Sequence, residues 1–206
     1  MNSESNVQAE QPKKKEKKTS TVSSIFDYLE LFAWSVFVVM MLFTFFLRFC
    51  KVDGSSMEDT LYDRENLIVY SVGYTPKQDD IVVFHLADRA GQNTLVKRVI
   101  ATSGQEVVIN FSTKEIRVDG ELYTDSHVIL KNFSGEIINR YTLHAEHNYD
   151  ADQKIFSATV PEGHVFVLGD NRNNSKDSRD TEIGFVDERC VLGKAIIRIF
   201  PFTLFP

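Results

Sequence analysis

Three stretches of this chain gather side chains able to do chemistry. Residues 52–61 read VDGSSMEDTL and set two adjacent serines, Ser55 and Ser56, behind Gly54. A serine hydroxyl is a weak nucleophile until a base takes its proton. Residues 94–100 read TLVKRVI and place Lys97 and Arg98 among apolar neighbours. On a strand alternate residues share a face, so Leu95, Lys97 and Val99 lie on one side and Val96, Arg98 and Ile100 on the other. Two readings fit this pattern. The cations of an edge strand can snorkel to water and discourage aggregation. Alternatively, one cation is buried on purpose. Desolvation disfavours the charged lysine, and the neutral amine is then a base, a role closed to arginine.

The third stretch, residues 169–186, reads GDNRNNSKDSRDTEIGFV and crowds polar groups between apolar segments. It is not a calcium loop, because Arg172 holds the third position and no glycine holds the sixth. A solvated surface loop remains open. So does a structural network in which Asp170, Arg172, Asp177 and Arg179 pair. His144 and His147 in HAEH lack a third ligand at convincing spacing, so no metal and no cofactor are expected. H-E-x-x-H, G-x-S-x-G, S-x-x-K and phosphate-loop patterns are absent. Cys50 and Cys190 are too few for a disulfide framework and lack zinc spacing.

The elements that must position these residues read as short strands. ENLIVYSV at 65–72, DIVVFHL at 80–86, TLVKRVIA at 94–101, HVFVLGD at 164–170 and GKAIIRIF at 193–200 are rich in β-branched residues. EVVINF and EIRVDG flank STK like a hairpin. The expected fold is mainly β, a sandwich or barrel, with 132–154 as insertion or long loop. The 17 residues Leu31–Leu47 carry no charge. They make roughly 25 Å of helix, and Tyr28–Phe49 would extend it to about 30 Å, enough to span a bilayer. FLRFCK follows, bulky and basic, which is unlike a cleavage site, so the anchor is expected to be retained. The lysines at 13–18 put the N-terminus in the cytoplasm and the chain after about residue 50 outside. Net charge is −6. That balance offers no basic footprint for nucleic acid.

Together these pieces resemble type I signal peptidases, membrane-bound serine proteases that cut signal peptides from exported preproteins. GSSMEDTL resembles the nucleophile block, DDIVVF the strand after it, KRVIATSGQ the lysine block and GDNRNNSKDSR with GFV the last block. GKAIIRIFPF resembles the closing strand. The resemblance implies a β-barrel or sandwich-like catalytic domain of signal peptidase type behind one N-terminal transmembrane helix. It implies Ser56 as nucleophile and Lys97 as general base, a Ser–Lys variant of the triad. Ser175 matches the serine that orients the lysine. Asp177 and Arg179 match its supporting pair, and Arg98 and Asp170 another. Substrate would lie as an added strand against Val52, Gly54, Ser55, Met57 and Val96, and the Ser56 N–H would face the oxyanion. Gly54 stands where some members carry a hydroxyl, so a second oxyanion donor must come from elsewhere, such as the Gly54–Ser55 backbone.

The implied division is a disordered basic cytoplasmic tail at 1–24, a transmembrane helix at 25–49 and an extracytoplasmic protease domain at 50–206. Within the domain, 105–160 is a reduced cap region. Its partners would be signal peptides and the lipid bilayer. Asp59, Ala101, Gln105 and Asn173 depart from the family's usual Pro, Gly, Asp and Asp. Two rivals stand beside this reading. A self-cleaving repressor-type Ser–Lys protease is cytosolic, which the anchor opposes. A membrane-anchored β module that only binds partners would need neither Ser56 nor Lys97.

Overall fold

The apolar run behind the lysines divides into a helix and a strand. In the computed structural model, which describes residues 21–88, 91–124, 148–150, 152–180 and 182–206, helix α1 spans Thr21–Phe45. Its residues Ser24–Phe45 are long and apolar enough to cross a membrane. Strand β1, Leu47–Lys51, follows at once. The expected helix at 25–49 therefore stops at Phe45. Composition cannot separate helix from strand over so short an apolar segment. Pairing decides it, because β1 lies antiparallel to β2 (Asn66–Tyr70), from Leu47 opposite Tyr70 to Lys51 opposite Asn66. The lysines at 13–18 and the pair His144 and His147 lie outside the described residues. The chain separates after Met41 into two compact units.

The second unit is built from antiparallel strands. After β2 come β3 (Ile81–Asp88), β4 (Gly91–Ala101), β5 (Glu106–Asn110), β6 (Glu115–Val118) and β7 (Glu121–Leu122). Then follow β8 (Asn148–Asp150), β9 (Ile155–Thr159), β10 (His164–Leu168), β11 (Val186–Asp187), β12 (Val191–Arg198) and β13 (Thr203–Leu204). Among the described residues, one sheet runs β1-β2-β12-β3-β4-β10-β11 with β13 on β12. A second sheet of five strands runs β7-β6-β5-β9-β8. Strands β5 to β9 thus make a sheet of their own. It packs on the larger one through Val107, Ile109 and Phe156 against Ile100, Phe166 and Leu168. The expected hairpin around STK is β5–β6, with Asn110 opposite Glu115.

Strand β4 carries Lys97 and Arg98. It pairs with β3 from Arg98 opposite Ile81 to Gly91 opposite Asp88. On its other edge β10 covers only Arg98, Val99 and Ala101. The β10-side edge of β4 before Arg98 carries no strand among the described residues. The alternation holds. Leu95 and Val99 pack with Val82 and Phe84, while Val96 packs with Ile81 and Val83.

Gly193 marks a register shift where β12 meets β3. Its φ is +153°, and a Cβ there would sit 2.1 Å from the Tyr70 carbonyl oxygen. A bulge with so close a backbone approach admits only glycine. Gly193→Ala is expected to destabilise the domain by about 2 kcal/mol or more. Thermal unfolding checks this, and an unchanged Tm would contradict it.

Candidate active site

The turn that carries Ser55 and Ser56 leaves β1 at Val52, whose N–H donates to the Glu65 carbonyl at 2.8 Å. Gly54 then adopts φ +86°, a conformation open to glycine at no steric cost. Its N–H donates to Asp63 Oδ1 at 2.9 Å. Met57 and Leu61 plug the turn into the core, 1% and 0% exposed, beside Val52, Leu67 and Val96. Asp59, where the resemblance implies proline, has φ +80°. Proline is locked near −65° and cannot adopt it. The departure and the backbone therefore agree.

Ser55 and Ser56 both line one cleft of about 440 Å³, with Asp53, Gly54, Asn174, Ser175, Lys176 and Asp180. The chain is a turn here, so the strand rule that would put the two serines on opposite sides does not apply. Their partners tell them apart. Ser56 Oγ lies 2.6 Å from Lys97 Nζ, whereas Ser55 Oγ accepts from Asn174 Nδ2 at 2.8 Å.

Lys97 is 2% exposed. Burial pushes its ammonium down to about 8, helped by Arg179 and opposed by the Asp177 and Asp170 carboxylates. Its Nζ also donates to the Val96 carbonyl at 3.0 Å. The strand that carries it is pinned from β3. Asp80, itself buried, takes the Tyr74 hydroxyl at 2.6 Å and Lys194 at 2.7 Å, and its carbonyl accepts from Val99. Burial first, then Asp80, pushes the Tyr74 phenol far up. Sequence reasoning missed Tyr74, Asp80 and Lys194, because nothing in their spacing links them.

The loop after β10 carries two buried ion pairs, and Arg179 also donates to the Arg172 carbonyl at 2.9 Å. Arg98 holds Asp170 with two bonds, 2.9 and 2.7 Å, and donates to the Asp79 carbonyl at 3.0 Å. Arg179 holds Asp177 with two bonds of 2.8 Å. Arg172 donates to the Gly169 carbonyl at 3.0 Å. Burial alone would push the Asp177 carboxyl up. The Arg179 guanidinium, with the Gly169 N–H and Ser175 hydroxyl, overcomes this and holds it below the usual carboxylate range. Ser175 is 1% exposed and lies beside this carboxylate.

Three residues of the quoted motif prove more important than their types suggested. Asn171 donates its N–H to the Ser56 carbonyl at 3.1 Å and its Nδ2 to the Ser55 carbonyl at 3.0 Å. Asn174 reaches Ser55 Oγ. Gly169 lies so close that a Cβ would sit 2.0 Å from Ser175 Oγ and 2.5 Å from the Ser56 carbonyl oxygen. Of the other departures, Gln105 replaces a carboxylate without losing its acceptor, since Oε1 accepts from the Thr102 N–H at 2.9 Å. Ala101 is fully buried. Cys50 and Cys190 are free thiols. No cluster among the described residues has the ligands for a metal.

Comparison with known proteins finds relatives over most of the chain. The family described as signal peptidase, peptidase S26, matches residues 25–200. Signal peptidase IB of Staphylococcus aureus (strain COL) is 35% identical over 160 residues, 75% of this chain and 78% of the relative. Signal peptidase I of Bacillus licheniformis is 31% identical over 192 residues, 91% of this chain and 95% of the relative. The crystal structure of a signal peptidase I from Enterococcus faecalis V583 aligns with 26% identity and a TM-score of 0.39 over 59% of this chain and 97% of that one.

Gly169→Ala forces Ser175 and the Ser56 backbone apart. It is expected to lower peptide-bond cleavage by about a hundredfold or more, because misplacing reacting groups by an ångström costs about that much. Steady-state kinetics beside a melting curve check this. Parental turnover by a folded variant would contradict the packing described.

Proposed function

The chain belongs to the signal peptidase family, peptidase S26, and from that membership we propose that it cuts signal peptides from exported preproteins with Ser56 as nucleophile and Lys97 as general base. The observation that carries this is the 2.6 Å contact between Ser56 Oγ and a lysine 2% exposed. With Lys97 neutral, the Ser56 O–H donates to Nζ and the amine can take its proton. Ser56 Oγ then bonds to the scissile carbonyl carbon, and the carbonyl electron pair moves to oxygen. As the intermediate collapses, the C–N bond breaks and the Lys97 ammonium protonates the leaving amine. Water, activated by the same amine, releases the acyl-enzyme and restores Ser56.

The supporting residues act through position. Asp177 and Arg179 hold the loop that carries Ser175 beside the lysine, and Asp170 and Arg98 tie that loop to β4. The open edge of β4 at Leu95–Lys97 suits a substrate added as a strand. Val52, Met57 and Val96 pack together under this region, and small side chains at the first and third positions before the cut are what the family resemblance implies.

Work at the membrane surface is supported by two features. Helix α1 is apolar over Ser24–Phe45. In the second unit Phe49, Ile68, Ile197 and Leu204 stand in register across β1, β2, β12 and β13, so they share one face. Phe49 and Leu204 are 65% and 64% exposed. An exposed apolar row of this kind marks an interaction surface, here the bilayer. The lysines at 13–18 set the N-terminus in the cytoplasm and the catalytic unit outside.

The purified full chain in detergent is expected to cut a preprotein bearing an A-x-A site. Ser56→Ala and Lys97→Ala are each expected to lose about 10³-fold or more of kcat. Cleavage at the same bond by Ser56→Ala would contradict the mechanism. The pH profile gives a second test. The base acts only when deprotonated, so kcat/KM should rise about tenfold per unit below the folded value and level off above about 8. A flat profile between pH 6 and 9 would rule out Lys97 as the base.

A further inference from the structure

We infer that the Ser55 hydroxyl, polarised by Asn174, is the second donor to the oxyanion. The inference rests on the Ser56–Lys97 reading above. An oxyanion in an acyl transfer is stabilised by preorganised donors aimed at where its charge develops. The Ser56 N–H, without a partner among the described residues, is the first. Gly54 offers no side chain, and its N–H is committed to Asp63 Oδ1 at 2.9 Å. That removes the Gly54 backbone from the choice.

Ser55 is differently placed. It lines the same cleft as Ser56. Its Oγ accepts the Asn174 amide at 2.8 Å, and no protein acceptor among the described residues takes its proton. A hydroxyl has one proton and two lone pairs, so an amide on a lone pair leaves the O–H to be given away. Hydrogen bonds in series also strengthen one another, and Asn174 makes that O–H a better donor. The backbone beneath is fixed. The Ser55 carbonyl accepts from Asn171 Nδ2 at 3.0 Å and from the Glu58 N–H at 3.1 Å, and the Ser56 carbonyl accepts from the Asn171 N–H at 3.1 Å. Such a donor costs no reorganisation when the carbonyl electron pair moves onto oxygen. Ser55 O–H and Ser56 N–H each donate to that oxygen, and both bonds relax when the pair returns and the leaving amine departs with the Lys97 proton. Ser55 is then a catalytic residue, and Asn174 a positioning residue acting through it.

The test uses the full chain in detergent, with a preprotein substrate and a peptide aldehyde ending in the A-x-A pattern, which forms a tetrahedral adduct on Ser56. Ser55→Ala should lower kcat by about a hundredfold, the effect of losing one oxyanion donor. KM should stay within about threefold, since the interaction is made only in the transition state. Aldehyde affinity should fall with kcat, while the cleaved product peptide binds as before and the pH midpoint stays put. Ser55→Thr keeps a hydroxyl and should recover most of the loss. Asn174→Ala, at an exposed position, should cost kcat in the parent and nothing further in the Ser55→Ala background. Parental kcat in Ser55→Ala, or a full Asn174→Ala effect in its absence, would overturn the inference and return the role to a backbone N–H. A parent that cuts nothing would instead contradict the Ser–Lys reading.

Discussion

The proposed mechanism sets one demand: a lysine amine must be dry enough to lose its proton and still touch a hydroxyl. Burial supplies the first half, with Lys97 2% exposed on a strand packed on both faces. The second half is the 2.6 Å contact with Ser56. The two requirements pull against each other. Polar groups that hold the amine also tend to keep it charged, and Asp177 and Asp170 both push Lys97 that way.

The ion pairs resolve the conflict. Each carboxylate near the lysine is gripped by its own arginine, Asp177 by Arg179 and Asp170 by Arg98, with side chains at most 4% exposed. Buried pairs of this kind contribute little net stability, but losing one partner leaves an uncompensated charge and costs about 3–5 kcal/mol. Their value here is positional and electrostatic. They bring Gly169, Asn171 and Ser175 against the turn that carries Ser55 and Ser56, and Arg179 offsets part of the carboxylate charge felt by the amine. The Gly169 backbone fits between Ser175 and Ser56 only because it lacks a Cβ.

Much of this was legible in the sequence, for local reasons. Strands β2, β3, β4, β10 and β12 announce themselves by β-branched runs, and Lys97 stands out because it interrupts one. The motif points to Ser56 rather than Ser55, and because the backbone turns there, strand alternation does not separate the two. The rest depended on contacts far apart in the chain. Nothing local tells Leu47 to leave a helix and join β2, since the same residues suit either state. Asp80 with Tyr74 and Lys194, and Asp63 on the Gly54 N–H, are pairings that only the folded register creates. Short strands such as β7, β11 and β13 lack any periodic signal and exist because a neighbour offers an edge.

The proposed mechanism turns on the proton of one nitrogen. NMR titration of the Lys97 side-chain amine, in the full chain in detergent and assigned by its loss in Lys97→Met, measures it without any substrate. The expected midpoint is near 8, well below an ordinary lysine. A midpoint at the ordinary value, about 10.4, would mean that burial does not discharge the amine and that Lys97 is not the base.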